Sequence, residues 1–98
     1  MSIRHVVCMH LSADAPEGSA QAIVEALREL PGQIAEIRDY RVGLDVGVNP
    51  PSWDVALTAD FDVPSDYVTY RDHPEHQRII RELIEPVVDQ RVSVQFPI

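Results

Sequence analysis

Residues 3–11 read IRHVVCMHL, and their alternation decides how the rest of the chain folds. Successive side chains of an extended chain point to opposite sides. Ile3, His5, Val7, Met9 and Leu11 therefore share one strand face, and Arg4, Val6, Cys8 and His10 share the other. From about residue 19 to residue 30 the period changes. Ala20, Ile23, Val24, Leu27 and Leu30 fall at helical spacing, and Pro31-Gly32 stops the helix. A second strand is predicted over 38–46, with Tyr40, Val42, Leu44 and Val46 on one face. The segment GVNPPS, 47–52, breaks it, and a third strand follows over 53–61. Pro64-Ser65-Asp66 opens a short helix carrying Tyr67, Val68 and Tyr70. His73-Pro74 interrupts it, and a longer helix bears the stripe Ile79, Ile80, Leu83, Ile84 and Val87. Residues 91–96 read as the last strand, with Val92, Val94 and Phe96 together.

The order is βαββαβ. Strand–helix–strand occurs twice in one short chain, which predicts an α+β fold: a four-stranded antiparallel sheet with both helices on one face. Each strand has one nearly pure apolar row, and that row is expected to meet the helices. In the last strand this assigns Val92, Val94 and Phe96 inward and leaves Arg91, Ser93 and Gln95 on the opposite, mixed face. A mixed face suits either solvent or a second sheet. With 98 residues the chain is one domain, 1–98, small enough that a partner subunit would help its core.

Composition narrows the function classes. Hydrophobic residues make up 45% of the chain, as in an ordinary globular protein. The net charge is -8, there is no lysine, and the arginines are scattered, which argues against nucleic acid and anionic membranes as partners. No apolar run approaches the roughly 20 residues of a membrane helix. The N-terminus is too short and too polar for a signal peptide and reads better as a strand. Cys8 is the one cysteine, so no internal disulfide forms; this is compatible with a cytoplasmic location, which is the expectation here.

The densest chemistry lies in YRDHPEHQR, residues 70–78. Pro74 fits the first position of the longer helix, where its missing N–H costs nothing. His73 is then the N-cap. His76, four residues before Ile80 and seven before Leu83, heads the inward stripe. His5 faces the helices, so His5 and His76 are expected to meet near Tyr70. His10, at an odd spacing from His5, lies on the other side of the sheet. The partial positive charge of a helix N-terminus and burial both disfavour imidazolium, so His76 is expected to be neutral at pH 7, as a base or acceptor requires. The same block also reads as a plain helix start with packed core histidines. Zinc is a weak reading: His73 and His76 stand at i, i+3, His5 is a distant third, and no cysteine joins them. No metal and no cofactor are therefore expected. Cys8 reads as a small hydrophobe, and Trp53 and Phe61 read as core.

The chain resembles the stress-responsive A/B barrel domain (Dabb) family. The matching stretches are IRHVV at 3–7, LPGQI at 30–34, RVGLD at 41–45, DVALTADF at 54–61 and, above all, YRDHPEHQ at 70–77 before an aliphatic helix. The resemblance implies a ferredoxin-like subunit and a homodimer whose two sheets face each other as an α/β barrel, with Cys8 and His10 toward the partner. It also implies a pocket between sheet and helices. Many members have no established activity. A plant polyketide cyclase of the family performs an aldol condensation without cofactor, and by motif match its chemistry would fall to Tyr70, His76 and His5, with His73 in support. Here Val7, Met9, Ile23, Val24, Leu27, Val55 and Leu57 would supply the binding surface, in place of the aromatic residues the cyclase carries on its first helix. Three functions follow from the resemblance. The first is binding of a small, mostly apolar molecule. The second is a polyketide-cyclase-like reaction with His76 as base and Tyr70 hydrogen-bonding the developing oxyanion. The third is a metal-free monooxygenase of the neighbouring dimeric-barrel type.

Overall fold

The computed structural model describes residues 1–98. It contains strand β1 (Ile3–Leu11), helix α1 (Ser19–Arg28), a 3-10 turn (Leu30–Gly32), β2 (Asp39–Leu44), β3 (Val55–Phe61), α2 (Pro64–Asp72), α3 (Pro74–Ile79), a single π-helical turn (Ile80–Ile84) and β4 (Val88–Pro97). The four strands form one antiparallel sheet in the order β2-β3-β1-β4. The long strand whose alternation organises the sequence is thus central, paired on both edges. The core lies between the sheet and the helices. From β1 come Ile3, Val7 and Met9, from β3 Val55, Leu57, Ala59 and Phe61, and from α1 Ile23, Val24 and Leu27, all buried. Trp53 precedes β3, half-buried, and its ring stands 6.0 Å from that of His10. Val46, expected to end the second strand, lies beyond it and is exposed.

One expected face is reversed. Val92, Val94 and Phe96 do not meet the helices; they stand on the outer face of the sheet, 55%, 56% and 40% exposed. Residues directly opposite across an antiparallel pair share a face. Met9 pairs with Arg91, Val7 with Ser93 and His5 with Gln95, so Arg91, Ser93 and Gln95 face the helices. The cause is a β-bulge. Leu11 pairs with Val88 and His10 with Gln90, which leaves Asp89 as an extra residue. One inserted residue exchanges the two faces of everything that follows. Were Asp89 paired in an unbroken ladder instead, the inward Val88 would be followed inward by Gln90, Val92, Val94 and Phe96. The Asp89 carboxylate is held by His10 Nδ1 at 2.6 Å, so a side chain of β1 holds the bulge residue itself.

The outer face is therefore more apolar than its alternation suggests. Val6 pairs with Val94 and Cys8 with Val92, beside Ala56 and Thr58 of β3. The Arg4–Asp60 ion pair, with two hydrogen bonds of 2.7 and 2.8 Å, bounds this patch at one end, and His10–Asp89 bounds it at the other.

Candidate functional site

A cavity of about 350 Å³ lies between β1, β4 and the helical layer. Its apolar wall comes from Val7, Met9, Leu27, Leu57, Ile80 and Ile84. Its polar groups are His5, Tyr67, Tyr70, Arg71, His76, Gln77, Glu85, Arg91 and Ser93. Pockets of this size that combine an apolar wall with placed polar groups suit small organic molecules.

The chain break between α2 and α3 builds one side. His73 adopts extended backbone, φ -62° and ψ 136°, because the residue before proline is pushed out of the helical region. Its Nδ1 accepts the Glu75 backbone N–H at 3.1 Å, the N-cap role expected of it. His73 is thus occupied at the helix start and does not border the cavity. The break frees the Arg71 carbonyl, and two side chains take it up: His76 Nδ1 at 2.9 Å and Gln77 Nε2 at 2.7 Å. A carbonyl only accepts, so His76 carries its proton on Nδ1 and keeps a lone pair on Nε2. Burial lowers the pKa of this ring, the positive charge of Arg91 lowers it further, and the Arg71 carbonyl opposes them. His76 is neutral at pH 7.

His5 is 5% exposed and accepts a hydrogen bond from Gln95 Nε2 on Nδ1 at 2.8 Å. The proton of its neutral ring then sits on Nε2. Burial, helped by His76, pushes its pKa down to about 4. The two histidines consequently have opposite tautomers, one with an Nε2 lone pair and one with an Nε2 proton. Tyr70 is 1% exposed, and its ring lies 4.3 Å from the His76 ring and 6.1 Å from that of His5. Its hydroxyl meets the Tyr40 hydroxyl at 2.9 Å. Burial pushes the Tyr70 phenol up to about 12 and the Tyr40 phenol higher still.

With His73 set apart as the helix cap, the other expected site residues separate into two groups. His5, Tyr70 and His76 come together at the cavity with Val7, Met9, Leu27 and Leu57. Ile23, Val24 and Val55 are packed in the core and do not line it. No three His, Cys, Asp or Glu side chains converge as a metal-binding group. Sequence reasoning missed Tyr40, Tyr67 and the β4 groups Arg91, Ser93 and Gln95. Tyr67 packs against His5 with ring centroids 4.7 Å apart and planes tilted by 44°. A three-residue repeat, Tyr67 and Tyr70, puts both on one helix face and was a usable signal. The β4 groups were hidden by the bulge.

With this geometry in hand, similarity to known proteins is informative. The family model described as Stress Responsive A/B Barrel Domain matches residues 3–98. An uncharacterised protein of Streptomyces coelicolor is 32% identical over 77 residues, 76% of this chain and 79% of that one. A crystal structure from Thermobifida fusca, described as a dimeric ferredoxin-like protein of unknown function, superposes with a TM-score of 0.90 at 32% identity, covering 100% of this chain and 92% of that one. A hydroxynitrile lyase from Passiflora edulis has the same fold, with a TM-score of 0.83 at 17% identity over 99% of this chain and 93% of that one.

Proposed function

The chain belongs to the stress-responsive A/B barrel domain family, and from that premise we propose that it is a homodimeric barrel protein that binds a small, largely apolar molecule between its sheet and its helices. The observation that carries this reading is the approach of His5, Tyr70 and His76 to one cavity that Val7, Met9, Leu27, Leu57, Ile80 and Ile84 also line. Such a cavity takes an apolar body and reads one or two oxygen atoms on it. The partner is a second copy of the chain, seated on the outer face around Val6, Cys8, Val92, Val94 and Phe96. The dimeric description of the Thermobifida fusca relative supports this, as does the apolar character of the patch.

The binding reading is tested by NMR. Addition of the apolar small-molecule fraction of host extract is expected to shift Ile80 and Ile84 methyl and His76 ring signals together. Ile80→Trp, which fills the cavity from the helix side, is expected to abolish the shifts. Shifts confined to the protein surface, or unchanged in Ile80→Trp, would overturn the reading.

The tautomers favour a second reading, a cofactor-independent carbon-acid enzyme of the polyketide-cyclase type. His76 Nε2, neutral and with a free lone pair, is suited to remove a proton from an activated methylene. His5 Nε2–H is suited to donate to the oxygen on which negative charge develops, with Tyr70 beside it. A catalytic role for Tyr70 requires that Tyr40 be the donor in their hydrogen bond, which leaves the Tyr70 proton for substrate. Turnover of poly-β-keto thioesters, lost in His76→Ala with the fold intact, is the result this reading expects. No turnover in either protein leaves binding as the function.

A further inference from the structure

The chain has sixteen acidic residues and eight arginines, so a cation without an anion beside it is unusual here. Six arginines stand in ion pairs: Arg4, Arg38, Arg41, Arg71, Arg78 and Arg81. Arg28 donates to the Val42 carbonyl at 3.1 Å. Arg91 alone has its guanidinium in neither an ion pair nor a hydrogen bond, and it is the arginine that the Asp89 bulge turns to the helix-facing side, opposite Met9, where it lines the cavity. Ser93 follows it on the same wall. Arg71, the other cation at the cavity, is neutralised by Asp72 at 2.9 Å. Glu85 also borders the space and makes no pair with Arg91. The cavity is therefore two-sided. Val7, Met9 and Leu57 offer hydrocarbon contact, while β4 offers an unspent guanidinium and a hydroxyl.

We infer that the ligand is an amphipathic organic anion, its apolar body against Val7, Met9 and Leu57 and its carboxylate on Arg91 and Ser93. This rests on the binding reading above and names the chemical class that the same cavity selects. A planar guanidinium with free donors matches a carboxylate in two parallel hydrogen bonds, which an alcohol or ester cannot return.

The test compares octanoate with octan-1-ol by isothermal titration calorimetry at low ionic strength. Octanoate is expected to bind about tenfold more tightly than the alcohol, a difference of about 1.4 kcal/mol. Arg91→Gln is expected to bring octanoate down to the level of the alcohol. Glu85→Gln, which removes a like charge from the rim, is expected to raise octanoate affinity or leave the preference intact. Equal affinities in the unmodified protein, or a preference that survives Arg91→Gln, overturn the inference and leave the binding reading standing. Failure of both probes to bind overturns the two together.

Discussion

At the scale of single residues, the site is defined by where protons sit. His5 has a pKa near 4 because burial penalises its charged form. An unfolded histidine takes its proton near 6.5, so the neutral ring is common to both states above that pH and contributes nothing there. As pH falls from about 6.5 toward 4, the unfolded chain gains a proton that folded His5 refuses, and stability is lost across that window. His76, whose pKa is also lowered, acts in the same direction; His10, raised by Asp89, acts in the opposite one. The comparison that isolates His5 is urea unfolding of the unmodified protein and His5→Gln at several pH values between 4 and 7. The variant is expected to lose less stability on acidification. Parallel pH profiles would show that His5 titrates normally. The tyrosine pair gives a second expectation. Tyr40→Phe leaves the Tyr70 hydroxyl buried without its partner, at a cost of about 1–3 kcal/mol. Tyr40→Phe with Tyr70→Phe should cost less than the sum of the single changes. Strict additivity in denaturant unfolding would mean that the 2.9 Å hydroxyl pair contributes no coupling. The alternation of β1 made His5 legible in the sequence, and the proline rule made the His73 cap legible. Tyr40 was not legible as a site neighbour, because it reaches Tyr70 only through the placement of α2 over β2 and β3.

At the scale of elements, β4 is where sequence and structure diverge. Its apolar row, Val92, Val94 and Phe96, has a clean two-residue period that predicts the inner face. Period alone cannot say where a strand gains a residue, and Asp89 carries no local mark of a bulge. The signal lies in pairing: His10 reaches Asp89, and the register changes between His10 and Leu11. Deleting Asp89 joins the pairs Leu11–Val88, His10–Gln90 and Met9–Arg91 into one continuous ladder, so Arg91, Ser93 and Gln95 keep the helix-facing side. The expected result is a folded chain that still dimerises and still binds octanoate, read by size-exclusion chromatography and calorimetry. Loss of both properties with the fold intact would mean that the ladder slips by one residue and carries Arg91 to the outer face. Helix boundaries were read more closely. The α2–α3 break falls at His73-Pro74 as the sequence indicates, while the helix after it runs as α only to Ile79 before a π turn completes it at Ile84. A π turn inserts an extra residue per turn, and it lies where Ile80 and Ile84 border the cavity.

At the scale of the whole molecule, the two faces of the sheet differ. The inner face joins the helices and the cavity; the outer face carries an apolar centre between the Arg4–Asp60 and His10–Asp89 pairs. A chain this short gains from covering such a face with its own copy. A dimer at micromolar concentration is the expected result of multi-angle light scattering, and Val94→Asp should shift it toward monomer. A monomeric unmodified protein would contradict the barrel. The fold order and the strand–helix alternation were readable in the sequence because each element carries a strong apolar period. The contribution of β4 to the two faces was not, because it depends on the bulge.

Binding between sheet and helices is the central claim, and native mass spectrometry of protein gently purified from its host tests it most directly. The expected spectrum shows a dimer carrying a defined small organic mass, with the Ile80→Trp dimer bare. A bare unmodified dimer, or the same mass on both proteins, would contradict the claim.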